Sequence, residues 1–354
     1  MINANQQRLN ELKEAIEALP RVSLANLPTP LEHCPNLSRN LAGPDIWIKR
    51  DDLTGLATGG NKTRMYEFVL GKAVESGADT VVAGAAVQSN YCRQLAASCA
   101  KLGLDCHLVL RKVRGEADEE IQGGFLIDLL VGAKVELMDG GDWTVQGERI
   151  RQKGRDLEEQ GKKVFVARVG DESGLGLYAV SYALAFIEMI EQAEAAELKI
   201  DEIWVCSSDT TQAGLGIALK HVESPIRLVG LPALHDPITP GWTFPECFSH
   251  IGNEAAEILG IETRLVPDDI ISITDYVGEA YGVLTDEARE AMRLAGSAEG
   301  LLLDPVYTSK TMAGLIDHIR KGLISSDKKV IFIHTGGIPA IFAYNRSLGL
   351  EDLL

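Results

Sequence analysis

Short β-branched runs recur along the chain at residues 45–49, 79–83, 106–110, 134–138, 163–167, 202–206, 227–231 and 330–334. Helix-length amphipathic segments, such as 90–102 and 148–160, separate most of them. Adjacent parallel strands need a crossover of a dozen or more residues, usually a helix, so this alternation predicts an α/β fold with a mostly parallel sheet. Ahead of the first run, Leu9, Leu12, Ile16 and Leu19 recur at spacings of three and four, which predicts an amphipathic helix over 7–19 ended at Pro20. Several runs end in glycine or hydroxyl residues and lead straight into a helix. Open α/β sheets bind ligands at such ends, where helix N-termini offer free N–H groups to anions, so the site is expected there. No internal repeat and no Pro- or Ser-rich linker divides the chain, which predicts interleaved domains.

Composition narrows the class. The 354 residues hold 34 Lys and Arg against 51 Asp and Glu, a net charge of −17, which is a poor match for nucleic acid or an anionic membrane surface. The six cysteines (34, 92, 99, 106, 206 and 247) form no CxxC pair, so neither a zinc knuckle nor a disulfide framework is expected. The first residues lack a basic stretch followed by an apolar core, and no run reaches the roughly 18 apolar residues of a membrane span. A cytoplasmic protein with reduced thiols is expected.

Five segments stand out. In Thr58-Gly59-Gly60-Asn61-Lys62-Thr63-Arg64, two glycines lead into a helix whose first turn carries a lysine. The positive end of a helix dipole disfavours that charge, and a neutralised lysine is the group that condenses with carbonyls. On its own the segment also fits a surface lysine after a flexible turn. The others are Gly84 to Gln94 with Gln88-Ser89-Asn90-Tyr91, where Ser89 or Asn90 caps a helix, and Cys206-Ser207-Ser208-Asp209-Thr210-Thr211-Gln212, whose hydroxyls and amides suit a phosphate. Leu303 to Lys310 and Ile333-His334-Thr335-Gly336-Gly337-Ile338-Pro339 complete the set. His334 is expected to orient the turn after its strand, with no metal role, and Arg111 to Arg114 to form a solvated loop.

In this order and at these separations, together with Leu27-Pro28-Thr29-Pro30-Leu31 and Trp47-Ile48-Lys49-Arg50-Asp51-Asp52, the segments resemble the fold-type II pyridoxal-phosphate enzymes, specifically the D-cysteine desulfhydrase and 1-aminocyclopropane-1-carboxylate deaminase family. The resemblance implies a tryptophan synthase β-like fold of two three-layer α/β domains with open, mostly parallel sheets. The larger domain would comprise 1–64 and 176–354, and the smaller one 65–175. It implies pyridoxal 5′-phosphate as cofactor, a small amino acid as substrate and a homodimer. Lys62 matches the lysine that forms the internal aldimine and then moves the Cα proton. Asn90 matches the partner of the cofactor's phenolic oxygen, and Gln88, Ser89, Asn90 and Tyr91 sit where the family holds the substrate carboxylate. Ser207, Ser208, Thr210 and Thr211 match the phosphate loop. Tyr307 and Tyr281 match two tyrosines that face the substrate, while Thr308 and Thr335 lie beside the expected pyridine nitrogen.

The implied reaction is β-elimination giving a 2-oxo acid, ammonia and a leaving group. Thr308 stands where the deaminases carry glutamate, which tilts the reading toward D-cysteine. Cysteate sulfo-lyase, cyclopropane-carboxylate deaminase and a lyase for a cationic amino acid stay open, as does a non-catalytic homologue that binds the cofactor or an amino acid. Departures from the family pattern bear on this choice. Asp209 interrupts a loop that relatives build from Gly, Ser and Thr, and a carboxylate there would repel a phosphate dianion by several kcal/mol. Either it points away or the loop is remodelled. Asp171 and Glu172 replace a glycine-rich loop and either recognise a cationic side chain or cap the following helix.

Overall fold

The computed structural model describes residues 4–168 and 174–350. Among the described residues, ten strands form two sheets: β1 (Leu31–His33), β2 (Asp45–Lys49), β3 (Thr80–Ala86), β4 (Asp105–Arg111), β5 (Lys134–Met138), β6 (Val164–Val166), β7 (Glu202–Cys206), β8 (Arg227–Leu231), β9 (Ile271–Ser272) and β10 (Lys329–Ile333). One sheet runs β1-β2-β10-β7-β8-β9 and the other β5-β4-β3-β6. All pairings are parallel except β1 with β2, so the expected α/β architecture holds. All eight predicted runs are strands. The two unpredicted ones, β1 and β9, have three and two residues, too few for a hydrophobic alternation to show.

The strands β7 and β10 carry Ile203, Trp204, Val205, Val330, Ile331 and Phe332 with no exposed surface, as expected for a sheet covered on both faces. Helices Asn61–Glu75, Gly176–Ala195, Thr210–His221 and Phe244–Ile258 pack together over the larger sheet. The predicted helix 90–102 has those bounds. The one expected at 148–160 instead spans Trp143–Glu158, because Asp142 accepts from the Val145 N–H at 2.9 Å and starts it five residues earlier. The first helix is Ala4–Glu17.

Residues of the conspicuous N-terminal motifs meet in one buried ion network. Arg64 donates to both oxygens of Glu188 at 2.8 Å and to Asp51 at 2.8 and 3.0 Å, and Lys49 reaches Glu188 at 2.5 Å. The Thr29 N–H adds a bond to Glu188 at 2.9 Å. Arg64 is two positions beyond Lys62 on the same helix, so this network anchors the helix that presents Lys62.

Candidate active site

Lys62 is the second residue of helix Asn61–Glu75, reached through Gly59 and Gly60. Gly60 has a φ of +133°, and a Cβ there would lie 2.5 Å from the Gln94 amide. Conformation and space both demand glycine. From the other side, the turn after β10 approaches so closely that a Cβ on Gly336 would lie 2.6 Å from Gly60 Cα. The Asn61 N–H donates to the Thr335 carbonyl at 3.0 Å. Gly60 has no side chain with which to cap the helix, and Gln94 does so from the neighbouring helix, accepting from the Thr63 N–H at 2.8 Å.

A cleft of about 960 Å³, solvent mouth included, opens where the carboxyl ends of β3, β7 and β10 turn into their loops. Lys62, Ser89, Asn90, Tyr91, Ser208, Thr211, Tyr281, Tyr307 and Thr335 line it. Ser89 caps its helix, accepting from the Tyr91 N–H at 3.1 Å. Four of the predicted residues do not line the cleft, because their side chains serve its walls. Gln88 accepts from the Gly124 N–H at 2.8 Å, and Ser207 from the Gln212 N–H at 3.0 Å. The Thr210 and Thr308 hydroxyls donate to Asp209 at 3.0 Å and Asp304 at 2.7 Å.

The carboxylate of Asp209 does not point away. It lies in the cleft wall, 3.7 Å from Lys62 Nζ and 2.9 Å from Arg168 Nη1, and it also accepts from the Thr210 N–H at 2.6 Å. The loop is therefore remodelled around the Arg168 guanidinium. Burial opposes ionisation of Asp209, but Lys62 and Arg168 overcome it and hold the carboxyl well below its usual range. Burial lowers the Lys62 pKa and so favours the neutral amine, while Asp209 pulls toward the ammonium form. Arg168 was not singled out from the sequence, although its place just beyond the 163–167 run marked it as a strand-end residue.

Opposite stands an aromatic wall. The Tyr281 and Tyr307 hydroxyls bond to each other, and Trp143 meets the Tyr281 ring edge-on at 6.5 Å. Burial pushes the Tyr281 phenol up to about 12 and raises that of Tyr307 as well, so both carry their protons. Tyr307 is held by a residue with no sequence signal beyond its Asp-Pro step. Buried Asp304 accepts from the Val306, Tyr307 and Thr308 N–H groups at 2.8 to 3.0 Å. Trp143 was hidden by the late helix start.

His334 ties its turn as expected: Nδ1 accepts from the Gly336 N–H at 3.2 Å, leaving Nε2 to donate to the Leu302 carbonyl at 2.7 Å. Of the solvated loop expected at Arg111 to Arg114, residues 112–114 do form a loop, but the stretch is half-buried. Arg111 ends β4 with its guanidinium 4.3 Å from the Trp143 ring, and Arg114 stacks on Tyr344 and pairs with Asp118, because cations and aromatic faces attract. Asp171 and Glu172 lie outside the described residues.

The model of the family described as "Pyridoxal-phosphate dependent enzyme" matches residues 22–336. A Pyrococcus horikoshii protein provisionally named 1-aminocyclopropane-1-carboxylate deaminase is 37 % identical over 330 residues, covering 93 % of this chain and 95 % of that one. The D-cysteine desulfhydrase of Salmonella typhi is 38 % identical over 328 residues, covering 92 % and 96 %. The crystal structure of an ACC deaminase homologue superposes with a TM-score of 0.84 at 35 % identity, over 96 % of this chain and 98 % of that one.

Proposed function

Because the chain belongs to the pyridoxal-phosphate dependent enzyme family, we propose that it eliminates a β-substituent from a small amino acid, with D-cysteine as the leading substrate. The products are a 2-oxo acid, ammonia and the leaving group. The observation that carries this reading is the pairing, in one cleft, of a desolvated lysine with two protonated tyrosines. β-Elimination needs a base at Cα and an acid at the β-substituent, and this pairing supplies both.

The side chains fit the cofactor. The cleft has room for it, a lysine lines the wall, and Arg168 Nη2 is buried there without a partner among the described residues. Lys62 would hold its carbonyl carbon, Asn90 its phenolic oxygen, and Ser208 and Thr211 its phosphate. When bound, the cofactor supplies an electron sink for negative charge at Cα. Lys62 Nζ takes the Cα proton. The turn Ser89-Asn90-Tyr91, at the N-terminus of helix Asn90–Leu102, receives the substrate carboxylate on its amides. Tyr307, relayed by Tyr281, gives a proton to the departing group, and Trp143 narrows the mouth against water.

The same reading includes a larger unit of residues 1–64 and 176–354 and a smaller one of 65–175, supported by the segregation of β3 to β6 into their own sheet. It includes a homodimer and a cytoplasmic location. The location is supported by six buried cysteines with no disulfide among the described residues, and by the lack, among those residues, of a helix long and apolar enough to cross a membrane.

The test is 2-oxo acid release from both enantiomers of cysteine, β-chloroalanine and cysteate, and from the cyclopropane amino acid. D-Cysteine and D-β-chloroalanine should be turned over fastest. Turnover of the cyclopropane substrate alone would replace this reading with the deaminase.

A further inference from the structure

We propose that Arg168 is the cationic anchor for the phosphate of the cofactor, and that Asp209 is the residue that aims it. The inference rests on the family's cofactor and not on the choice of substrate. Among the described residues lining the cleft, the charged side chains are Lys62, Arg168 and Asp209. Lys62 is committed to the carbonyl, which leaves Arg168 as the other cation.

The turn that enters helix Thr210–His221 has less to offer an anion than its hydroxyl-rich sequence implies. Its Thr210 N–H is taken by the Asp209 carboxylate at 2.6 Å and its Gln212 N–H by Ser207 at 3.0 Å. What remains is the N–H groups of Ser208, Asp209 and Thr211 and two hydroxyls. Ser208 Oγ accepts from the Ala233 N–H and Thr211 Oγ1 from Asn61 Nδ2, each at 3.1 Å, so both keep an O–H to donate. The carboxylate of Asp209 adds a negative charge to this incomplete seat, and a dianion binds there only beside a compensating cation.

Arg168 meets that need in position and in valence. Asp209 Oδ2 holds Nη1 at 2.9 Å, which ties the guanidinium to the phosphate turn. Its plane is backed by the Tyr91 ring, with the guanidinium carbon 5.9 Å from the ring centroid. Nη2 is buried and has no partner among the described residues, although guanidinium nitrogens are donors that burial leaves unsatisfied only at a cost. A phosphate oxygen supplies the missing acceptor. A guanidinium gripped by a carboxylate on one nitrogen and by a phosphate on the other uses the rigid fork that distinguishes arginine from lysine.

The experiment compares pyridoxal phosphate with pyridoxal, the same aldehyde without its phosphate, as ligands for enzyme stripped of cofactor. Binding is followed by the visible band and by quenching of intrinsic fluorescence. Arg168→Met should weaken pyridoxal phosphate about 10- to 100-fold, the usual range for a lost charge-assisted hydrogen bond, and leave pyridoxal within about threefold. Arg168→Lys should fall between, since it keeps the charge and loses the fork. Inorganic phosphate should compete with pyridoxal phosphate for the wild type and fail to do so for Arg168→Met. Equal weakening of both aldehydes overturns the proposal. So does an unchanged affinity for pyridoxal phosphate with a raised KM, which would make Arg168 a substrate-carboxylate residue. If Arg168→Met does not fold, the Arg168→Lys ratio of the two affinities decides, and a wild-type ratio overturns the proposal.

Discussion

Arg93 donates to Asn90 Oδ1 at 3.1 Å, which turns the amide nitrogen of Asn90 the other way, as a donor. The same guanidinium holds the Gly59 carbonyl at 3.1 Å, just ahead of Lys62. One buried cation thus links the lysine turn to Asn90. Replacing Arg93 with methionine strands buried acceptors and should cost the stripped protein about 2–4 kcal/mol. Asn90→Ala should weaken cofactor binding and leave that stability within about 1 kcal/mol. Thermal denaturation of both stripped variants, beside cofactor titrations, checks the separation. A large stability loss in Asn90→Ala would refute it.

Lys62→Ala should abolish both the visible cofactor band and 2-oxo acid release. Asp209→Asn tests the electrostatics of the amine. The carboxylate favours the ammonium form, so removing it lowers the lysine pKa further. Only the neutral amine attacks a carbonyl, and the fraction of neutral amine at a given pH must rise. The pH midpoint for the rate at which stripped protein takes up the aldehyde should therefore move down in Asp209→Asn. An upward shift would contradict the assigned pairing.

Much of this was legible because it is local. Glycines 59 and 60 before a lysine, Ser89 as a cap, and the His334 turn are short-range patterns whose chemistry is set by neighbours in sequence. Asp209 looked wrong for the same reason. Its partner Arg168 lies 41 positions earlier on another strand end, and no spacing rule brings them together. Trp143 was lost to a boundary: helix starts are set by one cap residue, and the apolar pattern behind Asp142 is weak for a full turn. The buried network around Arg64 was visible only as motifs, since periodicity does not say which charges will pair across helices.

Tyr307 and Tyr281 are expected to act on the leaving group. Tyr307→Phe should lower kcat on D-cysteine by roughly 100-fold, within the usual range for general acid catalysis, with little change in KM. Chloride needs no proton to depart, so turnover of β-chloroalanine should fall by less than about tenfold. Tyr281→Phe should give the smaller effect, because it acts through Tyr307. Equal losses on the two substrates would move Tyr307 from proton donation to positioning.

Glu188 should make the fold sensitive to acid. Burial works to raise its pKa, but hydrogen bonds and charge from Arg64, then from Lys49, hold it at about 2 against an ordinary 4.5. A carboxyl depressed in the folded state contributes its full stability above its unfolded pKa, and loses it as pH falls through the folded value. The contribution, on the order of 3 kcal/mol, should be complete above pH ~4.5 and disappear between there and pH ~2. Glu188→Gln leaves Arg64 and Lys49 short of a buried counter-charge, so the variant should be less stable at neutral pH. It should also have a flatter stability curve between pH ~2 and ~4.5. Urea midpoints across that range, for wild type and variant, measure both effects. Parallel curves for the two proteins would show that Glu188 is not the titrating group.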